Sequence, residues 1–147
     1  MLDLIIKNGQ CYINGELKNV DVSVKDGKIQ GIGKITEEAK DIIDAKDLTV
    51  LPGCIDTQTH FREPGSTDTE DLHSGSRAAI VGGITAVFEM PNTNPPTSTK
   101  KEFQKKLDLA KNRMYCNYAF YFGATADNAN ELADLKNLEG CCGIKLF

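Results

Sequence analysis

The stretch Gly53-Cys54-Ile55-Asp56-Thr57-Gln58-Thr59-His60-Phe61-Arg62-Glu63-Pro64-Gly65 begins apolar and turns polar. That is the profile of a buried strand that ends at a site. On an extended strand residues 56, 58, 60 and 62 share one face. Residues two apart at a strand end are placed to converge on one metal ion or one anion. By spacing alone, a single histidine such as His60 is more often structural than a ligand.

The chain repeats this layout downstream. Thr67 and Glu70 have capping-box spacing ahead of a helix over about residues 70–81, which Gly82-Gly83 ends. Residues 85–90 (TAVFEM) form a second buried strand. Pro91, Pro95 and Pro96 mark a loop. Thr99 and Glu102 repeat the capping spacing, with Phe103, Leu107 and Ala110 on one face of the next helix. Residues 117–122 (NYAFYF) form a third strand. Leu132, Leu135 and Leu138 give a third helix its apolar stripe, and residues 142–147 (CGIKLF) form a fourth strand. Strands alternating with helices imply a parallel sheet with helical crossovers. A doubly wound open sheet and a (β/α)8 barrel both fit. The first strand lacks a glycine-rich dinucleotide loop, which weakens the cofactor-binding open sheet. Both architectures place chemistry at the strand C-termini, where Gln58, His60, Arg62, Asn92 and Lys145 collect.

Upstream, the first fifty residues read as all-β. Asn8-Gly9, Asn14-Gly15 and Asp26-Gly27 are hairpin-turn dipeptides. Val20, Val22 and Val24 alternate with polar residues, residues 36–41 suit one helical turn, and extended character resumes at Ile42-Ile43 and over 48–51. The expected organisation is therefore α/β. Residues 1–51 form a β-rich, partial β-sandwich subdomain, and residues 52–147 form an incomplete (β/α)8 barrel of about four strands and three helices.

Composition limits the function. The 147 residues carry 17 basic and 21 acidic side chains, a net charge of −4, with 40% apolar residues. This is the profile of a folded globular chain. A basic face for nucleic acid is not indicated, and no apolar run approaches a membrane span. The N-terminal residues make a poor signal peptide. Five cysteines without paired spacing read as free thiols, consistent with a reducing cytoplasm. His73, on the predicted helix, reads as a surface residue, and Glu63 and Glu89 as structural ones.

Residues 51–65 (LPGCIDTQTHFREPG) resemble the first barrel strand of the amidohydrolase superfamily, and specifically of dihydroorotases, whose usual form there is PG-x-ID-x-H-x-H-x-REPG. Residues 74–85 (SGSRAAIVGGIT), 90–97 (MPNTNPPT) and 143–147 (GIKLF) continue the resemblance in order and spacing, over essentially the whole chain. The resemblance implies two zinc ions, with His60 as a metal ligand and Lys145 as a carboxylated lysine bridging them. It implies that Arg62 and Asn92 hold a substrate carboxylate. The pair Arg62 and PNT favours dihydroorotase over hydantoinase or allantoinase. The implied reaction is metal-dependent opening and closure of the dihydroorotate ring in pyrimidine synthesis.

Two departures qualify this. Gln58 stands where the family has its first histidine, and an amide is a weak zinc ligand. The family's remaining metal histidines and its catalytic aspartate lie downstream of its strand-four lysine, so no catalytic residue is assigned within this chain. A complete barrel needs about 250 residues. The expectation is a dihydroorotase-like fragment that is not competent alone, its zinc binding doubtful. The alternatives are one half of a split enzyme completed by another chain, or a non-catalytic scaffold subunit of aspartate carbamoyltransferase. Homo-oligomerisation through exposed edge strands is a further expectation.

Overall fold

The computed structural model describes residues 1–147, which divide into two compact units, Met1–Pro52 and Gly53–Phe147.

The first unit is built from β1 (Leu2–Lys7), β2 (Gln10–Ile13), β3 (Glu16–Asn19), β4 (Asp21–Lys25), β5 (Lys28–Gly33), β6 (Ala39–Asp44) and β7 (Thr49–Val50). They form a four-stranded sheet in the order β5-β4-β1-β6 and a three-stranded sheet in the order β3-β2-β7. Two of the three hairpin dipeptides act as expected, whereas Asn8-Gly9 joins β1 to β2, which lie in different sheets, and closes no hairpin. Asn14-Gly15 and Asp26-Gly27 all have positive φ (51°, 88°, 51° and 71°), which matches the twist of the strands they join. The helical turn expected over residues 36–41 is instead bend and strand. Ala39–Asp44 runs parallel to β1, pairing Leu4 with Asp41 and Ile6 with Ile43. Ladder pairing overrides the weak local helical signal there.

The second unit holds β8 (Cys54–Thr59), α1 (Leu72–Val81), β9 (Ile84–Glu89), α2 (Lys100–Ala110), β10 (Asn117–Gly123), a 3₁₀ segment (Ala129–Asn137) and β11 (Cys141–Lys145). Its sheet runs β11-β10-β9-β8, and every pair is parallel. The sheet therefore grows one strand per crossover, as a barrel does. Phe61, Leu72, Val87, Phe103, Ala110, Cys116, Phe120, Phe122 and Leu135 form its core. Phe103, Phe120 and Phe122 are fully buried, each worth about 1.5–3 kcal/mol of transfer free energy.

Three local expectations are corrected. Helix α1 starts at Leu72, and its capping box is Asp71 with Ser74: the Asp71 side chain accepts from the Ser74 N–H at 2.6 Å, and Ser74 Oγ accepts from the Asp71 N–H at 3.1 Å. Thr67 and Glu70 had the spacing but precede the first helical turn. The third helix is 3₁₀. Leucines at three-residue intervals align on a helix of three residues per turn, so the stripe at 132, 135 and 138 fits that winding. Finally, Cys54 and Ile55 are exposed, because β8 pairs only with β9 and lies at the sheet edge.

Candidate functional site at the strand C-termini

Parallel pairing brings the C-terminal ends of β8, β9, β10 and β11 to one edge. Backbone bonds hold that edge together. The Met90 N–H donates to Thr59 C=O at 2.9 Å, Gly123 N–H to Thr97 C=O at 2.8 Å, and Ala124 N–H to Lys145 C=O at 2.8 Å.

His60 directly follows β8, and Asn92 lies three residues beyond β9. Their side chains meet, with His60 Nδ1 2.8 Å from Asn92 Oδ1. An amide oxygen only accepts, so Nδ1 is the donor in this contact, and in the neutral imidazole that leaves the Nε2 lone pair free. That is the tautomer a metal-ligating histidine needs, with its outer partner in place. Arg62 is exposed at φ 56°, and its guanidinium enters no ion pair. It is thus available to an anion. Lys145 ends β11 on the same edge, its ammonium 5.3 Å from the Phe147 ring centroid. Gln58 is exposed two residues before His60, its N–H bonded to Asp56 Oδ1 at 2.9 Å. The structure thus joins His60 to Asn92 directly and places Arg62, Lys145 and Gln58 along the same edge without a shared contact.

These residues do not make a complete metal site. No group of three or more His, Cys, Asp or Glu side chains converges anywhere in the chain. The edge offers one imidazole with its tautomer set, one amide and one lysine, which fits a single conventional zinc ligand. Burial pushes the thiol of Cys142, on β11, up to about 11.

Beneath the edge lie charged groups whose contacts sequence reasoning did not find. The Glu63 carboxylate accepts two bonds from Arg113, at 2.7 and 3.1 Å, and the N–H of Leu72 at 2.9 Å. It ties the chain just after Arg62 to the start of α1 and the end of α2. Its contact holds the Arg113 guanidinium even above its ordinary pKa. Glu89 and Lys106 form an ion pair fully removed from water. Burial pushes the Glu89 carboxyl up to about 7; Lys106, the Phe61 backbone N–H and Arg62 pull the other way. The Phe61 N–H lies outside hydrogen-bond geometry, since both carboxylate oxygens lack a conventional donor. Burial likewise depresses Lys106. One sequence signal existed: Lys106 is three residues after Phe103 and four before Ala110, a charge on the apolar face of α2.

The sequence pattern described as the amidohydrolase family matches residues 49–140. The chain belongs to that family. It is 42% identical over 146 residues to an allantoinase of Escherichia coli O1:K1, covering 99% of this chain and 32% of that protein. An allantoinase of Salmonella choleraesuis is 41% identical over the same share. Among solved structures, the L-hydantoinase (dihydropyrimidinase) of Arthrobacter aurescens superposes with a TM-score of 0.89 at 33% identity, covering 98% of this chain and 32% of that one. The chain therefore spans about a third of the length of the relatives it matches. Its parallel sheet is a curled half-barrel, as in this amidohydrolase structure. Amidohydrolases are generally metal-dependent. The relatives named here are allantoinases and a hydantoinase, so the amidohydrolase class is reached and the dihydroorotase subclass is not.

Proposed function

We propose that this amidohydrolase chain carries the ring-holding side of a cyclic amide hydrolase, with one ligand of its metal site. The observation that carries the reading is the 2.8 Å contact of His60 with Asn92 at the strand edge, beside an arginine with no ion-pair partner. In the reaction, water adds to a ring carbonyl, the ring C–N bond breaks, and the nitrogen takes a proton. A divalent metal, when bound, would polarise that carbonyl.

The chain's own residues have distinct parts. His60 offers Nε2 to the metal. Lys145, as its carbamate, would offer an anionic oxygen in place of a repelling ammonium, and Gln58 is a weak additional donor. Asn92 spends its amide oxygen on His60, which leaves its NH₂ for the ring substituent. Arg62 supplies a planar fork suited to a carboxylate. A ring bearing a carboxylate, as dihydroorotate does, fits these two groups best. The match to allantoinases favours a second reading, in which the ring is allantoin. Turnover needs metal ligands outside these 147 residues, and the complete (β/α)8 barrel belongs to the same proposal.

Ligand binding is therefore the test. Side-chain NMR signals of Arg62 and Asn92 are followed while dihydroorotate or allantoin is added. Dihydroorotate is expected to shift both, and Arg62→Ala to abolish the response. Shifts from allantoin that survive Arg62→Ala would move the assignment to the second reading. No response to either ring would end both.

A further inference from the structure

Glu89 and Lys106 are 1% and 0% exposed, an ion pair wholly withdrawn from water. Neither has a part in the ring chemistry above. Desolvating two charges costs about as much as their attraction returns, and apolar residues of similar volume would pack there at least as well. The surroundings indicate what the pair adds. Lys106 Nζ also donates to Met90 C=O at 3.0 Å and lies 5.1 Å from the Phe120 ring centroid. Glu89 is the register partner of Thr59. Met90 N–H returns to Thr59 C=O at 2.9 Å, and Thr59 Oγ1 donates to Phe88 C=O at 3.3 Å. A single cation on α2 thus holds the last residue of β9 and the one after it, and these hold the last residue of β8. His60 is the next residue after Thr59, and Asn92 comes two after Met90. Their contact spans the two chain ends that the pair joins.

We propose that Glu89 and Lys106 are positioning residues: their buried pair fixes the ends of β8 and β9 relative to each other and so sets the His60–Asn92 contact and the His60 tautomer. Apolar packing is non-directional and would hold the layers together without fixing that register. An ammonium bonded to a carbonyl and paired at once with a carboxylate fixes it, because its partners are discrete atoms. The inference rests on reading this edge as the site, but its readout requires neither substrate nor metal.

The test uses ¹⁵N-histidine NMR of the full chain, with Glu89→Leu/Lys106→Met and Glu89→Gln as variants and Asn92→Ala as the reference for a freed imidazole. The parent is expected to hold His60 in the Nδ1–H tautomer. The apolar double variant is expected to melt no lower than the parent, while its His60 signals move to the averaged position seen in Asn92→Ala. Glu89→Gln, which keeps the shape and loses the charge, is expected to move them the same way. A folded variant of either kind that retains the parent tautomer would overturn the proposal. So would failure of both variants to fold, since the pair would then be a requirement of the fold. Failure of every ring to bind would count against the function proposed above and leave the tautomer result intact.

Discussion

Arg62 and Arg113 lead to opposite expectations. Arg62 is exposed and outside every ion pair, with its backbone in the left-handed region at φ 56°. A side-chain-bearing residue held there costs free energy, and such strain gathers at functional positions. The Ser66 N–H, bonded to Arg62 C=O at 2.9 Å, helps hold the turn. Arg113 instead forks onto Glu63, whose carboxylate is buried and also takes the Leu72 N–H. Removing Arg113 leaves that carboxylate with one donor. Arg113→Ala is therefore expected to destabilise the chain by about 1–3 kcal/mol, and Arg62→Ala by less than about 0.5 kcal/mol. Urea unfolding of both variants checks this, and equal losses would show that Arg62 is a structural residue after all.

At the scale of elements, two positions couple helices to the site edge. Gly75 lies inside α1, where alanine normally gains about 1 kcal/mol. Here an added Cβ would stand 2.5 Å from the Phe61 ring, between the two residues of interest, His60 and Arg62. Gly75→Ala is expected to lower stability by about 1–3 kcal/mol through overpacking, read as a lower urea midpoint. A raised midpoint would mean that the ring moves aside without cost. The second coupling is the Glu89–Lys106 contact between β9 and α2, and it predicts a pH dependence. Burial raises the Glu89 carboxyl from 4.5 to about 7. Between those values the folded chain keeps a proton that the unfolded chain has released. The stability this gives is complete below about pH 4.5 and lost as pH rises through about 7. Lys106 is depressed, so its contribution works in the opposite sense: it is complete above about 10.5 and lost as pH falls below that value. Urea midpoints are expected to fall from pH 4.5 to 7 in the parent and to flatten in Glu89→Gln. An unchanged slope in that variant would remove Glu89 as its source.

For the molecule as a whole, the alternation of strand and helix was legible in the sequence because each strand and helix carries its own periodicity and its own punctuation. Asn14-Gly15, Asp26-Gly27 and the Thr99 cap are local signals with local outcomes. The Leu132–Leu138 stripe was legible as helical but not as 3₁₀, since its three-residue spacing suits both windings. The strand edge holding His60 and Asn92 followed from topology, whereas the Glu89–Lys106 pair did not, because pairing across 17 positions is invisible to any local pattern. Nor did exposure follow. Ile55 on β8 reads as buried, yet it is 55% exposed, and Ile144 on β11 is 45% exposed. The order β11-β10-β9-β8 leaves an outer edge unpaired on each of these strands. Unpaired backbone beside apolar side chains is a template for another strand. The 147-residue chain is therefore expected to associate in the micromolar range, visible in sedimentation velocity as a weight-average mass that rises with concentration. Ile144→Lys puts a charge on one of the two edges and should shift association to higher concentration without changing the far-UV spectrum, because Ile144 is outside the core cluster. A parent that stays monomeric at every concentration would show that strand twist alone protects these edges. An Ile144→Lys variant that associates as the parent does would place the contact elsewhere.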